Sequence, residues 1–342
     1  IIKINILLLL FILFIYIIFS KSLLLIIIYI SKKFFKNIII KIDLKGINDN
    51  HGPGNFIKGI NQSLPFISNK CIFISSDYNN YKNPDYLYLP WPMFNESQYD
   101  DLVKEKIINK YIIGPTFVPS YWDYFPYQLI WKEKRFLEIL SSVKGLVIHS
   151  NRVRDYLAKR SNSTNILKKY IIMRACTNFK PKVINSYKKR KIDILFFEKY
   201  MDSDRFKQAE ELISLLNKTN KTIVKIKYGY YNKTIINYLA NDSKFIIYFS
   251  FFDTGAIGLK EIQNFGVFAF THQEDLVIDN ETTFYVPELA SFDNIPIATK
   301  KIINIIRNIS KLNPDSKLIA KKNQMINKCE NSLKDLCKKL IN

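Results

Sequence analysis

Short apolar runs alternate with helical stretches twice along this chain, and that alternation limits the fold more than any other feature. A run of four to eight apolar residues bounded by turn residues suits a buried strand, and a helix between two such runs makes the strands parallel. The first series predicts strands at 38–44 (IIIKIDL), 71–75 (CIFIS), 111–113 (YII) and 145–149 (GLVIH), with a short buried run at 171–173. Helices are predicted at 56–64, 131–142 and 151–160, the last with Ser150 as N-cap. The second series predicts strands at 192–197, 222–226, 245–249 and 267–270, and helices at 204–216, 233–240 and 258–264. Residues 297–342 are expected to be helical with a break near Pro314. Between the series lies NFKPKVINSYKKRK at 178–191, polar and basic with little periodicity, which reads as a linker. The expected fold class is therefore α/β with two units of similar size, which suits 342 residues at about 150 per domain.

Composition adds a net charge of +21, from 51 Lys+Arg against 30 Asp+Glu. Such a balance points first to nucleic acid, a membrane surface or an anionic ligand. Only eight of the 51 are Arg, the residue suited to bidentate reading of phosphates and base edges. Lys, Ile, Asn, Phe and Tyr are all abundant and share A/T-rich codons, so part of the charge reflects coding bias and no nucleic-acid partner is expected. The cysteines, four in all, show no C-x-x-C, and with three histidines they suggest no zinc site.

Residues 6–19 (ILLLLFILFIYIIF) are 14 consecutive apolar residues, and LLLIIIYI resumes at 23–30 after Ser20-Lys21-Ser22. The stretch 4–30 is long enough to span a bilayer, so residues 1–31 are expected to form an apolar N-terminal helix that anchors the chain in a membrane. Lys32, Lys33, Lys36 and Lys41 follow at once, and by the positive-inside rule they place the rest of the chain on the cytoplasmic side. A signal peptide ranks lower because no small-residue cleavage site follows. Asn-x-Ser/Thr triplets such as Asn95-Glu96-Ser97 and Asn232-Lys233-Thr234 arise by chance in an Asn-rich chain and do not establish a luminal location.

The chemistry concentrates at 245–289. A strand ends at Ser250, a loop carries Asp253, Gly255 and Gly258, and a helix then carries Glu261. Asp253 and Glu261 stand in an acid-x7-acid spacing that lets both carboxylates approach one ligand. Glycines permit close approach, and a carboxylate one or two turns into a helix is placed to accept from ribose or sugar hydroxyls. The combination suits a nucleotide sugar.

Strand, Ser250, Asp253, Gly255-x-x-Gly258-Leu259, Glu261 and Gly266-Val267 together resemble the retaining GT-B glycosyltransferases of the E-x7-E type (glycosyltransferase family 4, group 1). The first acid here is Asp. The resemblance implies two Rossmann-like domains facing each other across a cleft: an acceptor domain at 38–177, the linker 178–191, a donor domain at 192–310, and C-terminal helices at 311–342. It implies a nucleotide-diphosphate sugar as co-substrate, a glycan, lipid or protein acceptor, and no metal or other cofactor. Asp253 would lie near the donor sugar and Glu261 would hold the ribose. Lys199 and Arg205, after the first strand of the second unit, would bind the diphosphate, with Glu198 where the family has Gly. Thr254, Gly255, Gly258 and Leu259 would line the donor site. His51, Gly52 and Gly54 in the loop HGPGN, and His149 before Ser150-Asn151-Arg152-Val153, would lie near the acceptor.

Each residue also has a structural reading. Asp253 and Glu261 fit a cap and a solvated helix acid, Gly52-Pro53-Gly54 fits a turn, His149 fits a core histidine, and Lys199 and Arg205 fit surface charges. Asp202-Ser203-Asp204 reads as a helix cap rather than a metal motif. Residues 121–127 (YWDYFPY) suit sugar stacking or packing equally. The rival functions are a membrane-tethered nucleotide-sugar-binding protein without turnover and a basic nucleic-acid-binding protein.

Overall fold

The computed structural model describes residues 23–33, 37–44, 47–48, 52–68, 70–77, 82–90, 101, 104, 108–115, 142–155, 169–199, 203–227, 230, 232–250, 255–277 and 279–341. His51, Asp253 and Thr254, the aromatic stretch 121–127 and the apolar run 6–19 lie outside them, as does nearly all of the helix predicted at 131–142.

The strands assemble into two sheets. The first has the order β2-β3-β1-β4-β5-β6-β7, with β1 Ile38–Ile42, β2 Phe66–Ile67, β3 Cys71–Ser75, β4 Tyr86–Leu89, β5 Tyr111–Ile113, β6 Gly145–Ile148 and β7 Tyr170–Ile172. All of its pairings are parallel except that of the two-residue β2. The second is wholly parallel, in the order β12-β11-β10-β8-β9, with β8 Ile192–Lys199, β9 Ile223–Lys227, β10 Ser243–Ser250, β11 Phe268–Thr271 and β12 Thr283–Tyr285. In both sheets the first strand lies inside and the order reverses beside it, which leaves a crevice at the carboxyl edge.

Strand periodicity explains the layers. In β1 and β3, Ile40, Ile42 and Phe73 face one side, and Ile39, Ile72 and Ile74 face the other. The first side is covered by α2 (Gly52–Gln62), through Phe56, Ile57 and Ile60. The other is covered by the helix α1 at residues 23–33, through Leu24 and Ile28. The described residues hold no helix long and apolar enough to cross a membrane. Leu24, Ile28 and Ser31 of α1 are buried, one face at helical spacing, while Leu23, Ile26, Tyr29 and Ile30 are exposed on the opposite face. In the second unit α3 (Ser203–Asn217) and α6 (Ile295–Leu312) cover one face of the sheet, and α4 (Lys233–Asp242) and α5 (Ile257–Gln263) cover the other.

The segment HGPGN is not a loop throughout. The helix starts at Gly52, so Gly52 and Gly54 lie in its first turn. Proline at a helix start loses nothing, because its missing N–H would have no intrahelical partner there. The stretch 178–191 is also built into the fold. Phe179 packs on Phe265, and the buried Arg190 guanidinium donates to the carbonyls of Asn185, Ser243, Phe265 and Gly266.

The C-terminal helices divide between the two units. α7 (Ser316–Ile326) packs beside α5, while α8 (Cys329–Ile341) returns to the first unit and inserts Leu333 and Leu336 into its core. The two chain crossings lie side by side and are bonded to each other. Thr177 N donates to Asn327 O at 3.1 Å, and Cys329 N donates to Asn178 Oδ1 at 3.2 Å. Cys329 is paired with Cys176, and Cys337 with Cys71.

Candidate functional site

The segment from Ser250 to Gly255 joins β10 to α5, at the carboxyl edge of the second sheet. Both of its ends are held by residues that reach the first unit. At the near end, Gln273 Nε2 donates to Ser250 O at 2.7 Å, and Gln273 Oε1 accepts from Arg152 Nη2 at 2.9 Å. Arg152 belongs to the helical turn after β6, and its Nε also bonds Asp275 at 3.3 Å. At the far end, Gly255 lies against His149: a methyl group on Gly255 would stand 2.7 Å from His149 Cδ2 and 2.9 Å from Nε2. His149 is itself fixed. Its Nδ1 lies 2.9 Å from Met173 O and so carries the proton, and its ring meets Phe56 edge-on at 5.5 Å.

The helix that follows is entered through Ala256 in the left-handed region, at φ 45 and ψ 45. A non-glycine residue there costs about 1 kcal/mol, and such strain is commonest where a chain must present a particular geometry. Among the described residues, nothing stands within 4 Å of where a side chain on Gly258 would be. Leu259 is core. Lys260 is buried and donates to Ala175 O at 2.7 Å, a third bond to the first unit.

Glu261 is 8% exposed, and its Oε2 accepts from Lys233 Nζ at 2.7 Å. Burial pushes its carboxyl above the usual carboxylate range, while Lys233 and Lys58, the latter from α2, act in the opposite sense. The Lys233 ammonium also lies over the Phe179 ring, 4.9 Å from its centroid.

A second cluster lies at the ends of β8 and β11. Lys199 closes β8, opposite Ser250 in the register with β10. Glu198 is buried and points the other way, as strand alternation requires, and Lys225 of β9 meets it at 3.2 Å. Glu198 thus lies on the far face of the strand from Lys199, with Lys225 as its ion-pair partner. Arg205, in the first turn of α3, donates to Gln208 Oε1 and Ala290 O. Arg205 and Arg152 both act on His272, just past β11, whose pKa is brought down to about 4 by burial first and by the two guanidinium groups second. His272 is therefore neutral at pH 7, and its Nδ1 is buried with no hydrogen-bond partner among the described residues.

The structure thus brings His149 to Gly255, and Arg205 into one neighbourhood with the unforeseen Arg152, His272 and Gln273. Glu261 meets Lys233, which was also not foreseen. The rule that ligands gather at strand carboxyl edges selects Arg152 and His272; no local pattern selects Lys233.

No protein-family profile and no curated protein matches the sequence. Solved structures do match the fold. Sucrose-phosphate synthase from Thermosynechococcus elongatus superposes with a TM-score of 0.53 at 9% identity, over 89% of this chain and 99% of that one. The lipopolysaccharide outer core galactosyltransferase WaaB gives 0.51 at 10% identity, over 89% and 99%. The fold is that of the GT-B glycosyltransferases. TarM from S. aureus, as a point mutant in complex with Fondaparinux, alpha-GlcNAc-glycerol and UDP, gives 0.47 at 11% identity, over 75% of this chain and 55% of that chain. The chain therefore spans little more than half the length of that protein.

Proposed function

We propose that this chain is a glycosyltransferase that moves a sugar from a nucleotide-diphosphate donor to a glycan, lipid or protein acceptor, with retention at the anomeric carbon. The observation that carries the reading is the anchoring of both ends of the segment 250–255 to the first unit, at one end through Gln273 and Arg152 and at the other through Gly255 and His149. A donor sugar held by Asp253 would be enclosed by both units, with Thr254, Gly255 and Gly258 against its hydroxyls.

Transfer builds negative charge on the leaving diphosphate and positive charge at the anomeric carbon. Arg205, Arg152 and Lys199 would stabilise the leaving group, by preorganised cations that need no rearrangement as charge develops. In this reading those cations replace a metal ion. An anion at that point would also offset the guanidinium repulsion that adds to burial in holding His272 neutral. Glu261 would accept from the nucleotide ribose and exchange its bond to Lys233 for bonds to the two hydroxyls. Gly52 and Gly54 at the start of α2, with His51 and His149, would border the acceptor side. The exposed apolar face of α1 supports seating on a membrane, with Leu23, Ile26, Tyr29 and Ile30 against the acyl boundary.

The test is turnover and binding measured with a panel of nucleotide sugars. Donor hydrolysis or transfer by the native chain, and a loss of donor affinity in Glu261→Ala, are expected. Full activity and unchanged donor affinity in that variant would overturn the site, and donor binding without turnover by the native chain would favour a binding protein.

A further inference from the structure

The four cysteines come from distant parts of the sequence and meet as two pairs. Cys71 of β3 meets Cys337, 266 residues away, with Cα atoms 5.9 Å apart. Cys176, beyond β7, meets Cys329, 153 residues away, with Cα atoms 5.0 Å apart. Both separations fall within the range a disulfide spans. No cysteine of the chain is left over. Cys329 opens α8 and Cys337 lies about 12 Å further along it, at about 1.5 Å per residue. The pairs therefore hold one helix at two points to one unit.

That helix is the element that most needs holding, because it follows the second unit in sequence and packs on the first. Ser332 Oγ donates to Arg174 O at 2.8 Å. Asn178, which accepts from Cys329 N, donates through Nδ2 to Gly59 O at 2.8 Å. Helix α2 approaches the pair so closely that a methyl on Gly59 would stand 2.8 Å from Cys329 Sγ.

We propose that both pairs are disulfides formed in an oxidising compartment, that they staple α8 to the first unit, and that the two units face that compartment rather than the cytosol. Cytosolic thiols are kept reduced, whereas complete use of the cysteines in long-range pairs marks chains that mature where disulfides persist. Each pair gives up two electrons and two protons to a disulfide-exchange oxidant, which becomes a dithiol. The cytoplasmic expectation rests on lysines that flank a spanning helix. In the folded chain Lys32 pairs with Asp85 at 3.0 Å and Lys33 lies over the Tyr29 ring, so both are surface charges of the first unit.

Two measurements on the full chain decide the matter. Cells making the protein are quenched in acid, and the protein is denatured, treated with N-ethylmaleimide and digested without reduction. Linked peptides joining Cys71 to Cys337 and Cys176 to Cys329, with no adduct on the four cysteines, are expected. Adducts on either pair overturn the proposal. The purified chain is then followed by amide exchange before and after dithiothreitol. Faster exchange across 329–341 than across β8 and β10 is expected on reduction, and unchanged exchange there overturns the staple. Neither readout depends on glycosyl transfer.

Discussion

Gly255→Ala tests whether the far end of the candidate donor loop is seated on His149. The added methyl would stand 2.7 Å from His149 Cδ2, 2.9 Å from Nε2 and 3.1 Å from Ala175 Cβ, where carbon atoms rest at about 3.5–4.0 Å. Something must retreat by nearly 1 Å. The imidazole is poorly able to do so, because its Nδ1 is bonded to Met173 O and Phe56 stands against its ring. Overpacking of this kind costs about 1–3 kcal/mol. If the loop moves instead, the same energy appears as a loss of roughly 5- to 150-fold in kcat/KM for donor turnover. The assay is a double-mutant cycle with His149→Ala, read by thermal unfolding and by turnover. Gly255→Ala is expected to lower Tm by a few degrees in the native background and to have little effect when His149 is Ala. An equal cost in both backgrounds, or none in either, would refute the contact and with it the seating of the loop.

Three further outcomes are expected. A carboxyl raised on folding stabilises the fold while protonated and loses that contribution as pH rises through its own pKa, so Glu261→Gln should gain in Tm over the native chain as pH rises from 4 to 7. A gain independent of pH, or a loss, would show that Glu261 is not held as described. Gly266 has φ +76, and a methyl there would overlap Ser316 O, so Gly266→Ala should destabilise by about 3 kcal/mol or more in denaturant unfolding. A cost below about 1 kcal/mol would contradict the close approach of α7. If α1 lies on a bilayer, a photoreactive acyl chain should label Leu23, Ile26, Tyr29 or Ile30 and spare the inward Leu24 and Ile28; labelling of neither face would remove the membrane seat.

The second unit was the more legible from sequence, and the reason is physical. Its central strands β8, β10 and β11 are buried on both faces, so they read as unbroken apolar runs such as FIIYF, and its helices carry apolar residues at 3.6 spacing. Strands β2, β4 and β12 escaped because Phe66–Ile67 is two residues long and Tyr86–Leu89 and Thr283–Tyr285 mix burial with exposure. The pairing of the cysteines and the return of α8 to the first unit are long-range facts that no local period encodes. Glu261 is singled out by its spacing from Asp253, and the structure adds its burial and its bond to Lys233. Arg152, His272, Gln273 and Lys233 were not legible, since each acquires its role from a partner on another element.

The paired crossings between the units have a consequence for motion. A single linker would let one unit turn about any axis relative to the other. Two adjacent segments joined by the Thr177–Asn327 and Asn178–Cys329 bonds behave as a door with both pins on one edge. Rotation about the line through them is easy, while twisting and sliding strain both segments at once. A rotation about that line would part Gly255 from His149, and its reversal would restore the same contact.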